Sequence, residues 1–300
     1  MSKNITGITF YNNFNNGDLH VVRTLIRHVI KTFPEFKYKL RHPNNEKVLK
    51  DLGIPLYWHQ YKEKFDLRGY YLEYGILNFN VQALCHNRQF FDRGGSFTIH
   101  TFYNIFAKTL LEVFKYKMPE NILDFLPYID YELYDIQKLK LLNMSGRNVL
   151  LCNNNPLSEQ STKFDMNNLL SNIVNLFPDI NFYVTNKLDG FEKQNVFYIS
   201  DITGNIGNDL NEISYLSTKC DIIIGRYSGP HTFCYVKENL LNTKKTFVTF
   251  CPPSMLYGLI PEKWCDFGVR SITSQTSNFL NIPENDDSIR LSKIIKILEK

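Results

Sequence analysis

The chain has 300 residues, 43% of them hydrophobic and 21% charged, enough for one large domain or two ordinary ones and too apolar for a disordered chain. A formal net charge of +4 with no extended block of Lys or Arg excludes a dedicated nucleic-acid footprint. It leaves a mild attraction to anionic substrates or peripheral contact with an anionic membrane surface.

In chain order, the first signal is a short strand, Ile5 to Tyr11, followed by a polar loop through Gly17 and a helix from about Asp18. Val21, Val22, Leu25, Ile26, Val29 and Ile30 recur as one stripe at helical spacing, and Pro34 stops the helix. Phe36 to Leu40 reads as a second strand, completing one βαβ unit. An aromatic-rich stretch with a strand at Tyr70 to Asn78 follows, then a long helix from Phe97 to Tyr116. The pattern weakens between Asp124 and Asn143, and the domain boundary is expected at Ser145-Gly146-Arg147, giving domains 1–145 and 146–300.

The second half alternates more regularly. Strands at Asn148 to Cys152, Ile180 to Thr185, Val196 to Ser200, Asp221 to Gly225 and Thr246 to Phe250 are separated by helices. Those helices are read at Asp165 to Phe177, Leu210 to Lys219 and about Pro230 to Leu241. This is the signature of a doubly wound parallel sheet. An amphipathic helix, Ser288 to Lys300, closes the chain, with the option of packing back on the N-terminal domain. The expected fold class is therefore α/β with two Rossmann-like domains. The six cysteines form no CxxC pair and read as buried thiols. The N-terminus has no apolar signal core and no stretch of about 18 apolar residues exists, so the expected compartment is the cytoplasm.

Ligands of open α/β sheets bind at the carboxyl ends of the strands, which directs attention to three loops. In Asn16-Gly17-Asp18-Leu19-His20, Gly17 permits a tight backbone and Asp18 stands at a helix start, as an N-cap, a general base or both. In Tyr227-Ser228-Gly229-Pro230-His231-Thr232, Gly229 lets a ligand approach and Pro230 suits a first helical turn whose amides face an anion. His231 is placed to donate to a phosphate oxygen, or to serve as a structural partner. The loop from Asn153 and Asn154 to Lys163 offers amides and an ammonium to a nucleotide or sugar, unless Lys163 is an ordinary solvated lysine. No GxGxxG follows the first strand, and there is no P-loop, GxSxG elbow or DxD triplet. The missing DxD points to diphosphate neutralisation by amides, Lys and a helix end, with no metal site and no cofactor beyond the donor itself.

The run Asp209 to His231, with Leu210, Asp221 and Ser228-Gly229-Pro230-His231, resembles the signature of lipopolysaccharide heptosyltransferases, whose fold is GT-B. Tyr227 stands where that family has an Asp. Asn16-Gly17-Asp18 is similar to the family's N-terminal Gly-Asp motif, and Lys163-Phe164-Asp165 lies where the family has a Lys before a helix. The resemblance implies two Rossmann-like halves facing across a cleft, the first taking a glycan or glycoconjugate acceptor and the second a nucleotide-sugar donor. It further implies inverting, metal-independent hexosyl or heptosyl transfer. Asp18 would be the general base, with Gly17 and His20 on the acceptor side. The donor would contact Asn153, Asn154, Lys163, Asp201, Glu212, Ser228, Gly229, Pro230, His231 and Thr232, with base and ribose near Asp201 and Glu212. The alternatives are a nucleotide-sugar epimerase or hydrolase of the same architecture and a non-catalytic nucleotide- or sugar-binding protein.

Overall fold

The computed structural model describes residues 5–12, 16–42, 46–58, 69–81, 98–154, 165–205, 209–226, 229–251, 266–283 and 287–300. The chain divides into two compact units, Met1–Asp130 with Phe267–Ile272, and Tyr131–Asp266 with Thr273–Lys300.

The first unit opens with β1 (Gly7–Tyr11), α1 (Asn16–Thr32) and β2 (Lys37–His42), then a 3-10 segment at Glu46–Leu52 and β3 (Leu56–Trp58). β4 (Tyr70–Glu73), β5 (Ile76–Asn80) and α2 (Ile99–Phe114) follow. The sheet order is β3-β2-β1-β5-β4, parallel except for the β4/β5 pair. Central β1 is buried on both faces, and the α1 stripe of Val21, Val22, Leu25, Ile26 and Val29 packs inward as its spacing requires. The stretch read as one strand from Tyr70 to Asn78 is instead a hairpin. Tyr74 and Gly75 both have positive φ, 47° and 78°, the combination a two-residue turn needs to match the strand twist.

Thr98 caps α2 by accepting from the Thr101 amide at 3.4 Å, and Lys115 ends it in the left-handed conformation at φ 57°. The Ile99 amide donates to the Phe267 carbonyl at 3.1 Å, and His100 Nε2 lies 2.9 Å from Ser271 Oγ. These contacts fasten residues 267–272 to the first unit.

Inside this unit α1 is pinned by a buried ionic cluster. Arg23 is fully buried, donates to the Val48 carbonyl at 2.8 Å and stands 3.6 Å from Asp51; Arg27 approaches the same carboxylate at 2.7 Å. Removing the shared acid leaves two guanidinium groups in low dielectric without that counter-charge. Asp51→Ala is expected to cost about 3 kcal/mol and to lower Tm by roughly 10 °C, measured by calorimetric unfolding.

The second unit begins with α3 (Gln137–Lys140), β6 (Arg147–Cys152), α4 (Met166–Leu176), β7 (Ile180–Val184), β8 (Val196–Tyr198) and α5 (Ile199–Thr203). It continues through α6 (Leu210–Lys219), β9 (Ile222–Arg226), α7 (Gly229–Phe233), α8 (Lys237–Leu240), β10 (Thr246–Cys251), β11 (Asn278–Pro283) and α9 (Asp287–Leu298). All pairings are parallel and the order is β11-β10-β9-β6-β7-β8. Counted from β6 this is the doubly wound order of dinucleotide-binding sheets, with the chain reversing its direction of travel between β6 and β9. Leu151, Ile224 and Val248 meet Leu170 and Ile173 of α4 and Ile294 and Leu298 of α9 in one core.

Four features depart from the sequence expectation. The boundary lies at 130/131, ahead of the expected Ser145-Gly146-Arg147, because residues 131–142 are fastened to the second unit. Tyr131 Oη lies 2.9 Å from Ser214 Oγ, and Lys138 Nζ donates to the Thr203 carbonyl at 2.7 Å. The terminal helix α9 packs on α4 of its own unit, where Arg147 donates to the Ile297 carbonyl at 3.1 Å. The helix expected from Pro230 to Leu241 breaks at Val236, which is extended at φ −103° and ψ 156°. Asn239 offsets that break, its side-chain amide donating to the Cys234 carbonyl at 2.9 Å and to Ser217 Oγ at 2.7 Å. Finally, β11 adds a sixth strand that the sequence reading did not mark.

Candidate functional site

The strand order reverses between β6 and β9, and the carboxyl edge at such a reversal is where a doubly wound sheet takes its ligand. One side chain ties the ends of β6 and β9 together there. Arg226, the last residue of β9, is fully buried and donates from Nη1 to the Asn154 carbonyl at 3.1 Å. Sequence reasoning passed over Arg226; the signal available was a cation ending the apolar run Ile222-Ile223-Ile224.

Asn153 and Asn154 do meet at this edge, within a braced amide network. Asn153 Nδ2 donates to Asn167 Oδ1 at 3.1 Å and to the Asn186 carbonyl at 3.0 Å, while its Oδ1 accepts the Asn186 amide at 2.7 Å. Asn154 Nδ2 donates to Asn186 Oδ1 at 2.9 Å. The Asn-rich loop therefore couples the ends of β6 and β7 to the start of α4, and the polar atoms of Asn153 are taken up by the protein. Asp165 caps α4 by accepting from Asn167 and Asn168 amides at 2.9 and 3.3 Å.

Beyond β9, Gly229 and Pro230 open α7 and remain partly exposed, whereas Thr232 is buried. α7 has five residues, so little macrodipole accumulates there. His231 occupies a different place from the one expected. It is fully buried, with Tyr235 and Phe247 rings at 5.5 and 5.8 Å and neither ring nitrogen partnered. Desolvation depresses its pKa to about 3, so it is neutral near pH 7. Gly225 makes this packing possible: a Cβ there would stand 2.8 Å from the imidazole Cδ2 and 2.9 Å from Cys152 Cβ. An enclosed, uncharged ring of this kind fills the sheet–helix interface and does not donate to a phosphate at the surface.

The start of α6 lies at the same edge, since a crossover helix runs antiparallel to its strands. Asp209 caps it, accepting from the Asn211 and Glu212 amides at 2.8 and 3.4 Å. Glu212 is 2% exposed, and its Oε1 accepts from Asn205 Nδ2 at 2.6 Å. Burial first, then the nearby Asp209 charge, raises its pKa to about 7. Asp201, by contrast, is exposed and paired with Lys187 at 2.8 Å. Tyr227, Ser228 and Lys163 lie outside the described residues.

In the first unit Asp18 sits in the first turn of α1, just beyond β1, largely buried and accepting from Asn12 Nδ2 at 3.4 Å. Gly17 beside it is partly buried and His20 is fully buried. Here too the strand order turns, because β1 lies between β2 and β5. Among the described residues no group of three or more His, Cys, Asp or Glu is placed to hold a metal ion, and no helix is long and apolar enough to cross a membrane. Cys152, Cys220 and Cys234 are free and buried.

Two Rossmann-like units on parallel sheets, each with polar residues gathered where its strand order turns, define the α/β GT-B fold. The solved structure of Escherichia coli heptosyltransferase WaaC with ADP aligns at a TM-score of 0.52 and 10% identity, covering 97% of this chain and 98% of that one. WaaC with ADP-2-deoxy-2-fluoro heptose aligns at 0.51 and 10%, covering 98% and 99%. At this identity the likeness is one of fold. No family model matches the chain, and no curated protein matches it by sequence.

Glu212 gives the site a measurable cost. A carboxyl whose pKa is raised from 4.5 to about 7 holds a proton that the unfolded chain has already lost, so stability falls as pH rises through that window. Glu212→Gln removes the penalty and keeps an acceptor for Asn205. At pH 8 it is expected to stabilise the protein by about 2–3 kcal/mol, with the gain gone below the unfolded carboxyl range, as read from Tm against pH.

Proposed function

We propose that this chain is a metal-independent, inverting glycosyltransferase of the hexosyl or heptosyl class. It moves a sugar from a nucleotide-sugar donor, held by the second unit, to a hydroxyl of a glycan or glycoconjugate acceptor. The observation that carries the reading is positional. In a chain whose fold aligns almost end to end with an enzyme solved with ADP and with a fluorinated ADP-heptose, Asp18, Asn153, Asn154 and Gly229 follow the strands at which each sheet's order turns, which supports the reading.

Chemically, the acceptor oxygen attacks the anomeric carbon, the bond from that carbon to the diphosphate oxygen breaks, and the acceptor proton passes to the Asp18 carboxylate. Charge growing on the departing diphosphate is met by the amides at Gly229, with Ser228 and Lys163 completing the set assigned from sequence. Asn153 and Asn154 hold the loop that borders the nucleotide, and Glu212 and Asp201 lie toward its base and ribose.

Asp18→Asn keeps the side-chain shape and removes the base. Transfer measured by release of nucleoside diphosphate in the presence of acceptor is expected to fall at least 100-fold, with donor affinity by calorimetry within a few-fold of wild type. An Asn variant with near-normal turnover would sink the general-base assignment.

A further inference from the structure

Strand β1 ends at the turning point of the first sheet, and the residue after it stays fixed between both neighbouring strands. The Asn12 amide donates to the Arg41 carbonyl at 3.1 Å on the β2 side, and the Val81 amide donates to the Tyr11 carbonyl at 3.0 Å on the β5 side. Side chains alternate along a strand, so Asn12 follows Ile8 and Phe10 onto one face of the sheet. Phe10 stacks on Tyr38, whose hydroxyl donates to the Val29 carbonyl of α1, which identifies that face as the one α1 covers. Asn12 is fully buried there, and its Nδ2 donates to Oδ2 of Asp18 at 3.4 Å.

A buried carboxamide is costly in a place where an apolar residue would continue the pattern of Ile8 and Phe10, unless its hydrogen bonds are used. The bond to Asp18 has two properties that suit a working carboxylate. First, α1 begins at Asn16, so Asp18 lies inside the first turn, and its donor comes from the sheet and not from its own helix. Holding one oxygen from a fixed strand end sets the plane of the carboxylate and the direction in which it faces the ligand edge. Second, the donor is neutral. A carboxamide favours the ionised acid without cancelling its charge, as a Lys or Arg in the same place would. General-base catalysis depends on both, because the base must be ionised and within hydrogen-bond reach of the acceptor hydroxyl.

We propose that Asn12 is the positioning residue of the Asp18 base: its side-chain amide orients the carboxylate that takes the acceptor proton, and Asn12 itself touches neither donor nor acceptor. The assignment rests on the general-base reading above and adds the group through which the sheet controls that base.

The test compares Asn12→Leu, which keeps the volume and loses the amide, with Asn12→Asp, which keeps the outline and puts an oxygen where the donor was. Turnover of ADP-, UDP- and GDP-linked sugars on a panel of oligosaccharide acceptors is read by release of nucleoside diphosphate, and affinity for ADP, UDP and GDP by calorimetry. Each variant is expected to lose about 10- to 100-fold in kcat, with nucleotide Kd and acceptor KM within about threefold of wild type. In an Asp18→Asn background, Asn12→Leu should change the residual rate less than about twofold, since the carboxylate it orients is gone. A residue that only held the fold would lower Tm and leave kcat of the folded protein near normal. Should the Leu variant not fold, Asn12→Asp carries the comparison, because two adjacent carboxyls can share a proton. A kcat within about threefold of wild type in a folded variant, a loss confined to KM or Kd, or the full loss repeated in the Asp18→Asn background would overturn the assignment and leave Asp18 standing as the base. Near-normal turnover of Asp18→Asn alone, or a wild type that turns over none of the donors, would remove the base and its positioning residue together.

Discussion

Parallel strands can be joined only by crossovers that travel back along a face of the sheet, and this constraint organises both units. The crossovers bury the faces, so polar chemistry is displaced to the strand ends. In the second unit the pressure is greatest between β6 and β9, where successive crossovers leave in opposite directions. Arg226 closes that gap by reaching the Asn154 carbonyl, and the Asn153–Thr185–Asn186 network braces the strand end it grips. The absence of a side chain at Gly225 allows His231 to pack directly on the strand beside Arg226, which sets where α7 begins. Backbone order, the bracing of the β6 end and the position of the candidate ligand edge therefore share one cause.

Burial around this edge acts on two ionisable groups in the same sense. His231 and Glu212 sit on opposite sides of the titration scale, yet both are driven toward their uncharged forms by desolvation. For His231 the result is an uncharged ring packed against Tyr235 and Phe247, with neither ring nitrogen partnered among the described residues. Glu212 differs because one of its oxygens is anchored by the Asn205 side-chain amide.

The alternation of strands and helices was legible wherever burial imposes a simple period: the Ile222-Ile223-Ile224 run, the α1 stripe, and the strands at 148–152 and 246–250. What escaped were features decided by a distant partner. The Tyr74-Gly75 turn hides inside an aromatic-rich stretch marked only by Glu73 and Gly75, and the break at Val236 is stabilised by Asn239 reaching Ser217 on another helix. The boundary was displaced because Tyr131 and Lys138, in a stretch without clear periodicity, find partners in α6 and α5. At the site, Asp18, Asn154 and Gly229 could be placed from strand-end logic. Arg226 was missed because a charged residue ending a strand ordinarily signals solvent, and the inward turn of His231 depends on the bare Cα of Gly225 six residues earlier.

The segment 267–272 belongs to the first unit although it follows nearly all of the second in the chain. The polypeptide therefore passes from one unit to the other three times, at 130/131, 266/267 and 272/273. During synthesis, the amide of Ile99 and the ring of His100 wait for Phe267 and Ser271 until most of the second sheet has left the ribosome. Neither unit is a contiguous stretch of message. A gene cut at the apparent boundary would encode one fragment lacking its last piece and another carrying a foreign insert, so the two halves are inherited, expressed and completed as a single object.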